Sequence, residues 1–343
     1  MPMEAPDAAR LVSESVLAGV DLPPVSFSLR EALLRGIPVL GTPSVVAIGA
    51  FDGVHMGHRE LLRSARADAE ERGCPFVVVT FDPDPARVLA PERHGEELLC
   101  HEDRLRALST IGALASCSLA FDAAMASMRA SDFIDDILIP LLAPVSVHVG
   151  SDFCLGAGGE GTVSALAAIG RARGFDVTGH DLVVDGGVPV TATRIRGLLG
   201  EGRVAEAARL MGRHHFVRGQ VLHGRGEGHT FGFPTANVTS DLEACLPADG
   251  VYAGFVRSGS EAWPAAINVG APPSFSGPRT SFLEANLLGF EGNLYGAEVE
   301  VVFADWLRAS RRFTSLSELA HVVRGNIDWV HDNLGGSVVG VRA

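Results

Sequence analysis

The feature that most constrains the fold is an alternation of strand-like and helical stretches over residues 44–211. Short apolar runs rich in β-branched residues predict strands at 44–48, 76–81, 118–121 and 146–149. Stretches with helical periodicity follow them at 57–72, 101–111, 131–142 and 162–173. Such an alternation predicts an α/β domain with a doubly wound parallel sheet and helices on both faces.

Two short helices are predicted at 194–200 and 204–211, and a different pattern begins after Arg213. Strand-like runs separated by turn residues then follow at 219–222, 251–256, 265–269, 281–288 and 297–303, with a last helix at 315–332. This pattern predicts a closed antiparallel β-barrel. A chain of 343 residues is long for one core, so we predict two domains, 1–212 and 213–343.

Charge and composition restrict the possible partners. The net charge of −13 argues against a nucleic-acid partner, because a phosphate backbone requires a basic surface. No apolar run is long enough to cross a membrane, and the acidic first ten residues do not resemble a secretion signal. We therefore expect a cytoplasmic protein without a membrane partner. Its five cysteines form no CxxC pair and are expected to be reduced. The oligomeric state is left open.

The chain contains no lysine, so all 28 of its basic residues are arginines. A phosphate-binding loop that ends in Gly-Lys-Ser/Thr and a Schiff-base lysine are therefore excluded. Phosphate chemistry in this chain would depend on arginine, backbone amides, helix N-termini, histidine and metal ions.

The strongest local motif is GAFDGVHMGH at residues 49–58, between the first predicted strand and its helix. Ligands of parallel α/β sheets lie beyond the carboxyl ends of the strands, where helix N-termini present free amides. Gly53 and Gly57 would allow the backbone to approach a phosphate, and His55 and His58 could stabilise its charge. The alternatives are a turn with two solvated histidines, or a metal-binding pair that lacks a third ligand.

This motif resembles the FDGVHxGH motif of the nucleotidyltransferase family that includes bacterial FAD synthetases. Three further segments resemble that family in the expected order: TFDPDP at 80–85, VGSDF at 149–153 and TATRIR at 191–196. The resemblance implies that the phosphate of FMN attacks the α-phosphate of ATP and releases pyrophosphate, without a covalent intermediate. Arg194 would then contact the ATP phosphates, with Thr193 as a helix-cap hydroxyl beside them.

A second motif, GHTFGFPTAN at residues 228–237, resembles the GRxLGFPTAN motif of riboflavin kinases, whose fold is a six-stranded barrel. In that family the Thr and Asn of PTAN bind Mg²⁺ and ATP phosphates, which implies these roles for Thr235 and Asn237. The segment LEANLL at 283–288 resembles the one that carries the kinase's catalytic glutamate, so Glu284 is the candidate general base. The alternatives are a Pro-Asn turn and an exposed strand glutamate.

Taken together, the motifs resemble the bifunctional riboflavin kinase/FAD synthetase family. The implied ligands are riboflavin, FMN and ATP, with ATP as co-substrate, Mg²⁺ as cofactor and FMN and FAD as products. The implied catalytic residues are His55, His58, Arg194 and Glu284. Nucleotide binding is implied for Gly49, Phe51, Asp52, Gly53, Gly57, Thr193, Gly232, Pro234, Thr235 and Asn237. Flavin binding is implied for Asp152, Phe153, Asn286 and Arg308.

Several positions depart from these family motifs. They are Asp84, Cys154, Leu155, Ala192, His229, Pro272 and Asn286. Asp84 stands where the family has His. A carboxylate about 5 Å from a nucleotide phosphate would be repelled by about 3 kcal/mol at an effective dielectric constant near 20. The alternative is that the carboxylate only caps a turn between two prolines and does not oppose a nucleotide.

Because of these departures, two other hypotheses remain: an enzyme that retains one activity, and a flavin- or nucleotide-binding protein without turnover.

Overall fold

The computed structural model describes residues 42–92, 95–223, 235–240, 244–270 and 283–340. These residues form two compact units. The first contains the described residues up to Gly95 together with Leu99–Ala192, and the second contains Glu96–Leu98 and the described residues from Thr193 onward. The domain boundary near residue 212 stays a prediction.

The first unit is built on a parallel five-stranded sheet. Its strands are β1 (Ser44–Ile48), β2 (Phe76–Asp82), β3 (Ala115–Ala120), β4 (Pro144–Gly150) and β7 (Asp176–His180). Two short two-stranded sheets are separate from it: β5 (Cys154–Leu155) with β6 (Gly161–Thr162), and β8 (Val184–Asp185) with β9 (Val188–Pro189). The order across the sheet is β3-β2-β1-β4-β7. Every residue of β1 is buried, as expected of a central strand that is covered on both faces.

Helices connect these strands as the alternation predicted. They are α1 (Met56–Arg72), α2 (Pro85–Leu89), α3 (His101–Ser109), α4 (Ala123–Ser127), α5 (residues 130–142) and α6 (Val163–Arg173). Helix α5 consists of Ala130–Asp132, a π-helical turn at Phe133–Leu138, and Ile139–Leu142. The predicted parallel α/β sheet is confirmed. Strand β3 begins at Ala115, before its predicted start, and the polar but buried Ser116 concealed this first part of the strand in the sequence.

The second unit is a closed six-stranded antiparallel barrel, also as predicted. It begins with helices α7 (Ala192–Gly200) and α8 (Val204–Met211) and ends with α9 (Leu316–Leu334). The strands are β10 (His215–Leu222), β11 (Ala236–Ser240), β12 (Gly250–Ser258), β13 (Glu261–Val269), β14 (Leu283–Leu287) and β15 (Glu298–Ala309). The order β12-β15-β10-β11-β14-β13 closes because β13 also pairs with β12. A short strand β16 (Val339–Gly340) pairs antiparallel with the start of β13.

Several features of the barrel were not predicted from the sequence, among them the start of β10 at His215. Strand β11, with the sequence ANVTS, has too few apolar residues to be recognised as a strand. Strand β13 begins at Glu261, earlier than its predicted start. The first two residues of the predicted run 281–288 lie outside the described residues.

Among the described residues, no helix combines the length and the apolar character that crossing a membrane requires.

Candidate active sites

The first site is a tight loop between β1 and α1. Phe51, Gly53 and Val54 all have positive φ angles, of 53°, 73° and 40°. Glycine adopts such angles without strain, so Gly53 costs little here, whereas Phe51 and Val54 are held in a strained backbone conformation. Asp52 is buried, and its Oδ1 accepts a hydrogen bond from the backbone N–H of Leu99 at 3.4 Å. This contact ties the loop to the residues that precede α3.

His55 and His58 lie together at the N-terminus of α1. The backbone N–H of His58 donates to Nδ1 of His55 at 3.4 Å, so His55 is the N-cap of the helix. The two rings stack with their centroids 3.6 Å apart. Gly57 leaves room for this ring, because a Cβ atom at this position would lie 3.1 Å from Cε1 of His55 and the ring would have to shift.

The environment of His58 favours a neutral imidazole. Burial lowers the pKa of His58 well below its usual value, and the neighbouring His55 and Arg104 lower it further. Its Nδ1 is buried and meets no hydrogen-bond partner in the described part of the chain. A buried polar atom without a partner is costly unless a ligand or water satisfies it. The ring is therefore prepared to contact a ligand at the helix N-terminus, where an anion is favoured.

Arg104, which the sequence analysis missed, supports the loop from α3. Its side chain is 0% exposed. One guanidinium nitrogen donates to the carbonyl of Phe81 at 2.9 Å and the other to the carbonyl of Ala50 at 3.3 Å, which Thr80 Oγ1 also contacts at 3.0 Å. The arginine thus ties the end of β2 to the loop and places a fixed positive charge beside it. An arginine on the same helical face as Ala107 and Leu108 was the available signal.

The predicted flavin-binding segment lies at the same edge of the sheet. Ala47 of β1 pairs with His148 of β4 in parallel register, so the chain leaves both strands side by side. Beyond β4, the backbone N–H of Phe153 donates to the carbonyl of Gly150 at 3.0 Å and forms a turn. Asp152 is exposed, while Phe153 is half-buried and packs against the core. The turn therefore stands next to the loop at residues 49–58.

Asp84 caps a helix. Its Oδ1 accepts a hydrogen bond from the backbone N–H of Ala86 at 2.8 Å, and its side chain is the N-cap of α2. Asp84 is 9% exposed. The capping alternative therefore accounts for this carboxylate without a nucleotide.

Thr193 and Arg194 lie in the first turn of α7, in the second compact unit. Thr193 is exposed and Arg194 is half-buried. Their roles at the ATP phosphates stay predictions.

The second site is a row of polar residues across three barrel strands. Glu284 of β14 lies directly opposite Asn237 of β11 and also directly opposite Asn268 of β13. Residues in such positions share a face, with Cβ atoms about 4.5–5.5 Å apart. All three are half-buried, whereas their strand neighbours Val238 and Ile267 are buried. The row therefore lies on the outer face of the barrel. Asn268 was not among the predicted site residues.

This row provides a suitable set of oxygen ligands for a hard cation. Thr235 immediately precedes β11 and is half-buried, as is Asn237. Their neutral oxygens, next to the carboxylate of Glu284, match the oxygen ligands that Mg²⁺ prefers when it retains water and phosphate. No cluster of three or more His, Cys, Asp or Glu side chains suited to a metal occurs within the described ranges.

The other predicted flavin residues lie on neighbouring strands. Asn286 of β14 is 9% exposed and lies opposite Ala266. Arg308 of β15 donates to Oδ1 of Asn326 on α9 at 3.4 Å, and its guanidinium lies 5.7 Å from the ring centroid of Phe313. Gly232 and Pro234, like the departures His229 and Pro272, lie outside the described residues.

Two family models match the chain, one on each part. The model for FAD synthetase matches residues 39–194, and the model for riboflavin kinase matches residues 211–334. A nucleotidyltransferase-type parallel sheet followed by a flavokinase barrel defines the class of two-domain flavin-nucleotide enzymes.

Similar proteins extend this comparison to almost the whole chain. The bifunctional riboflavin kinase/FMN adenylyltransferase of Escherichia coli (strain K12) is 36% identical over 301 residues, which cover 86% of this chain and 96% of the relative. That of Bacillus subtilis (strain 168) is 32% identical over 285 residues, or 82% and 89% of the two chains. The chain belongs to the family of bifunctional riboflavin kinase/FMN adenylyltransferases.

A solved structure supports the fold. The crystal structure of a macrolide-efflux protein from Streptococcus pneumoniae is similar with a TM-score of 0.78 and 30% sequence identity, and the match covers 85% of this chain and 95% of that one.

Proposed function

We propose that this chain phosphorylates riboflavin to FMN and adenylylates FMN to FAD, with ATP as the co-substrate of both reactions. The observation that carries the proposal is the occurrence of both family matches on one chain, in the arrangement of a bifunctional relative that is matched over 96% of its length. We assign adenylylation to residues 1–212 and phosphorylation to residues 213–343, and we expect the enzyme to act in the cytoplasm.

For adenylylation, we assign the ATP phosphates to the N-terminus of α1. The amides around Gly53 and Gly57 and the helix dipole would stabilise the triphosphate. His55 and His58 would donate hydrogen bonds to the α-phosphate as its charge shifts during attack by the phosphate of FMN. Because the lowered pKa of His58 favours its neutral form, the ring would donate a hydrogen bond to the phosphate without an ion pair that would slow release of the product.

Gly49, Phe51 and Asp52 complete the nucleotide-binding loop in this proposal. A Cβ atom on Gly49 would lie 2.9 Å from the ring of Phe51, so glycine is required for the observed packing. Arg194 would neutralise charge on the leaving pyrophosphate, and Thr193 would cap α7 beside it. Asp152 and Phe153 would bind FMN.

For phosphorylation, we assign the base to Glu284 and the nucleotide to the residues that precede and begin β11. The Glu284 carboxylate would accept the proton of the terminal ribityl hydroxyl as this oxygen attacks the γ-phosphate of ATP, and the bond to the β-phosphate oxygen would break with release of ADP. Gly232, Pro234, Thr235 and Asn237 would hold the ATP phosphates. A Mg²⁺ ion held by Thr235 and Asn237 would neutralise phosphate charge.

Flavin binding at the barrel is assigned to Asn286 and Arg308. Asn286 follows Glu284 by two residues and therefore shares its face of β14. Arg308 is held by Asn326 and by the ring of Phe313, so its orientation is fixed. Burial lowers the pKa of Arg308, and the neighbouring Arg311 lowers it further, which is consistent with a partly dehydrated surface.

The test is to incubate the purified protein with riboflavin, ATP and Mg²⁺ and to separate the flavins over time. We expect FMN to appear first and FAD to follow. Accumulation of FMN without FAD, even when FMN is supplied, would leave only the kinase. Unchanged riboflavin together with unchanged supplied FMN would contradict both activities and would favour a binding protein without turnover.

A further inference from the structure

A hydrogen-bonded chain of three side chains crosses the first unit from helix α1 to strand β7. Oδ2 of Asp68 on α1 lies 2.9 Å from Nε2 of His148 on β4. Nδ1 of His148 lies 2.9 Å from Nε2 of His180, the last residue of β7. The two imidazole rings are stacked with centroids 5.1 Å apart. His148 is only 3% exposed, so the chain passes through the interior.

The protonation of its members decides the direction of each hydrogen bond in this row of three side chains. Burial of Asp68 opposes its ionisation, but hydrogen bonds from Arg72, His148 and Ser146 lower its pKa to about 2. The Asp68 carboxylate is therefore an acceptor, and Nε2 of His148 carries the hydrogen. In the neutral form of His148, Nδ1 is then the acceptor of a hydrogen bond that Nε2 of His180 donates.

The geometry does not match that of a hydrolytic triad. Oγ of Ser146 lies 3.2 Å from Nε2 of His148, the same nitrogen that contacts Asp68. In a triad the serine and the carboxylate contact opposite nitrogens of the histidine. Ser146 is also only 1% exposed and is therefore shielded from a substrate. The chain is better suited to orienting a residue than to attacking a substrate.

The residue that this chain orients supports the turn at 150–153. The carbonyl of His180 accepts a hydrogen bond from the backbone N–H of Ser151 at 2.7 Å, and His180 lies opposite Gly150 in the parallel register. Asp152 and Phe153 follow within the same turn. At the other end of the chain, Asp68 belongs to the helix that begins at the His55 loop.

We propose that the Asp68–His148–His180 chain positions the turn at residues 150–153 for binding of FMN during adenylylation, by fixing it to helix α1. This inference rests on the proposed function, because it assigns Asp152 and Phe153 to FMN. His180 is thus a positioning residue that acts through the backbone of Ser151.

The test compares His180→Leu, which removes the donor, with His180→Gln, whose side-chain amide can donate from a similar position. We expect His180→Leu to raise the KM for FMN roughly fivefold, the effect of one lost hydrogen bond, and to leave the KM for ATP unchanged. His180→Gln should restore most of the affinity for FMN. A merely structural role would affect both substrates alike and would not be rescued by Gln.

Two controls belong to this test. Asp176→Asn removes the other carboxylate that pairs with Arg72, at 2.9 Å, without touching His148, and should leave the KM for FMN unchanged. Circular dichroism of the same preparations, which reports both units, checks that the variants are folded. If His180→Leu does not fold, Asp68→Asn is measured against Asp176→Asn in the same way.

The outcomes separate this inference from the proposed function. If the parental protein forms no FAD from FMN, the proposed adenylylation fails. Binding of FMN, followed by the quenching of flavin fluorescence, then decides whether the turn still requires His180. An unchanged KM for FMN in an active His180→Leu variant, or an unchanged dissociation constant in an inactive one, would overturn the inference. Absence of FMN binding by the parental protein would overturn it as well.

Discussion

The two candidate sites are built in opposite ways. The loop at residues 49–58 is one continuous segment with a strained backbone and a buried His55, and buried Arg104 supports it from α3. The barrel row at Asn237, Asn268 and Glu284 is assembled from three strands, and only their register brings its members together. The histidines of the first site are close in sequence, whereas the members of the row come together only through the register of the whole barrel. The two sites should therefore fail independently.

The largest effect is expected from Glu284→Gln. This change keeps the size of the side chain and removes its ability to accept a full proton, so FMN formation should fall by about two to four orders of magnitude. FAD formation from supplied FMN should stay near the parental rate. Separation of flavins from both reactions measures the difference, and an equal loss of both activities in a folded protein would contradict the assignment of two sites.

The reciprocal change, His55→Ala with His58→Ala, should reduce adenylylation by about two to three orders of magnitude, the usual cost of lost charge-stabilising donors. Riboflavin phosphorylation should persist. Because His55 also caps α1, His55→Asn with His58→Ala serves as a control that retains a capping oxygen. Parental adenylylation in the double alanine variant would show that the loop is misassigned.

A smaller effect is expected from Arg104→Met, which removes the buried link between the loop and β2. The carbonyl of Phe81 would lose its donor from Arg104, and one unsatisfied buried acceptor costs about 1–3 kcal/mol of unfolding free energy. We expect a less stable first unit and weaker adenylylation. Arg63→Met, at a site whose side chain is 68% exposed, should change the unfolding free energy by less than about 1 kcal/mol.

Tryptophan fluorescence separates the two units in such unfolding measurements. All three tryptophans, Trp263, Trp306 and Trp329, lie in the second unit. Circular dichroism reports both units, so a transition seen only by circular dichroism belongs to the first. The Arg104→Met change should move that transition and leave the fluorescence transition in place. A shift of the fluorescence transition alone would contradict this account.

The smallest effect concerns the pH dependence of barrel stability. Burial lowers the pKa of His215 to about 4, partly opposed by its hydrogen bond to the carbonyl of Cys245 and assisted by Arg213. The unfolded chain binds this proton near pH 6.5, so the unfolded state holds more protons between pH 6.5 and 4. Stability should therefore fall as the pH falls through this window, by at most about 1.4 kcal/mol per pH unit for one proton.

His215→Gln should flatten that dependence in fluorescence-detected unfolding. Part of the slope should remain, because burial also lowers the pKa of His214, although hydrogen bonding to Phe303 opposes the shift. The exposed His321 offers a matched control, since His321→Gln should leave the slope unchanged. A parental slope in His215→Gln would mean that His215 titrates alike in the folded and unfolded states.

Much of the fold followed from the sequence because its periodicity is strong. The alternation of strands and helices predicted the parallel sheet, and the change after Arg213 predicted the barrel. Strand β11 was missed because its residues are polar on the face that carries Asn237. A prediction from periodicity depends on the pattern of apolar residues, and a strand whose residues serve to bind ligands lacks a clear apolar pattern.

The residues of the candidate sites were also predicted only in part from the sequence. The histidines at 55 and 58 were visible as a motif, and the structure brings their rings together. Arg104 was missed because its neighbours Glu102, Asp103 and Arg106 made the helix look solvated, although Arg104 itself is fully buried. Asn268 was missed because the register that places it opposite Glu284 is a property of the closed barrel. Contacts between distant segments require the fold.

The central claim, two independent sites on one chain, is tested most directly by mixing the two inactivated variants. Glu284→Gln alone and His55→Ala with His58→Ala alone should each fail to convert riboflavin to FAD. Mixed together with riboflavin, ATP and Mg²⁺, they should form FAD, because FMN released by the intact barrel reaches the intact loop of the other variant. FAD from riboflavin by either variant alone, or none from a mixture of folded variants whose single activities persist, would contradict the account.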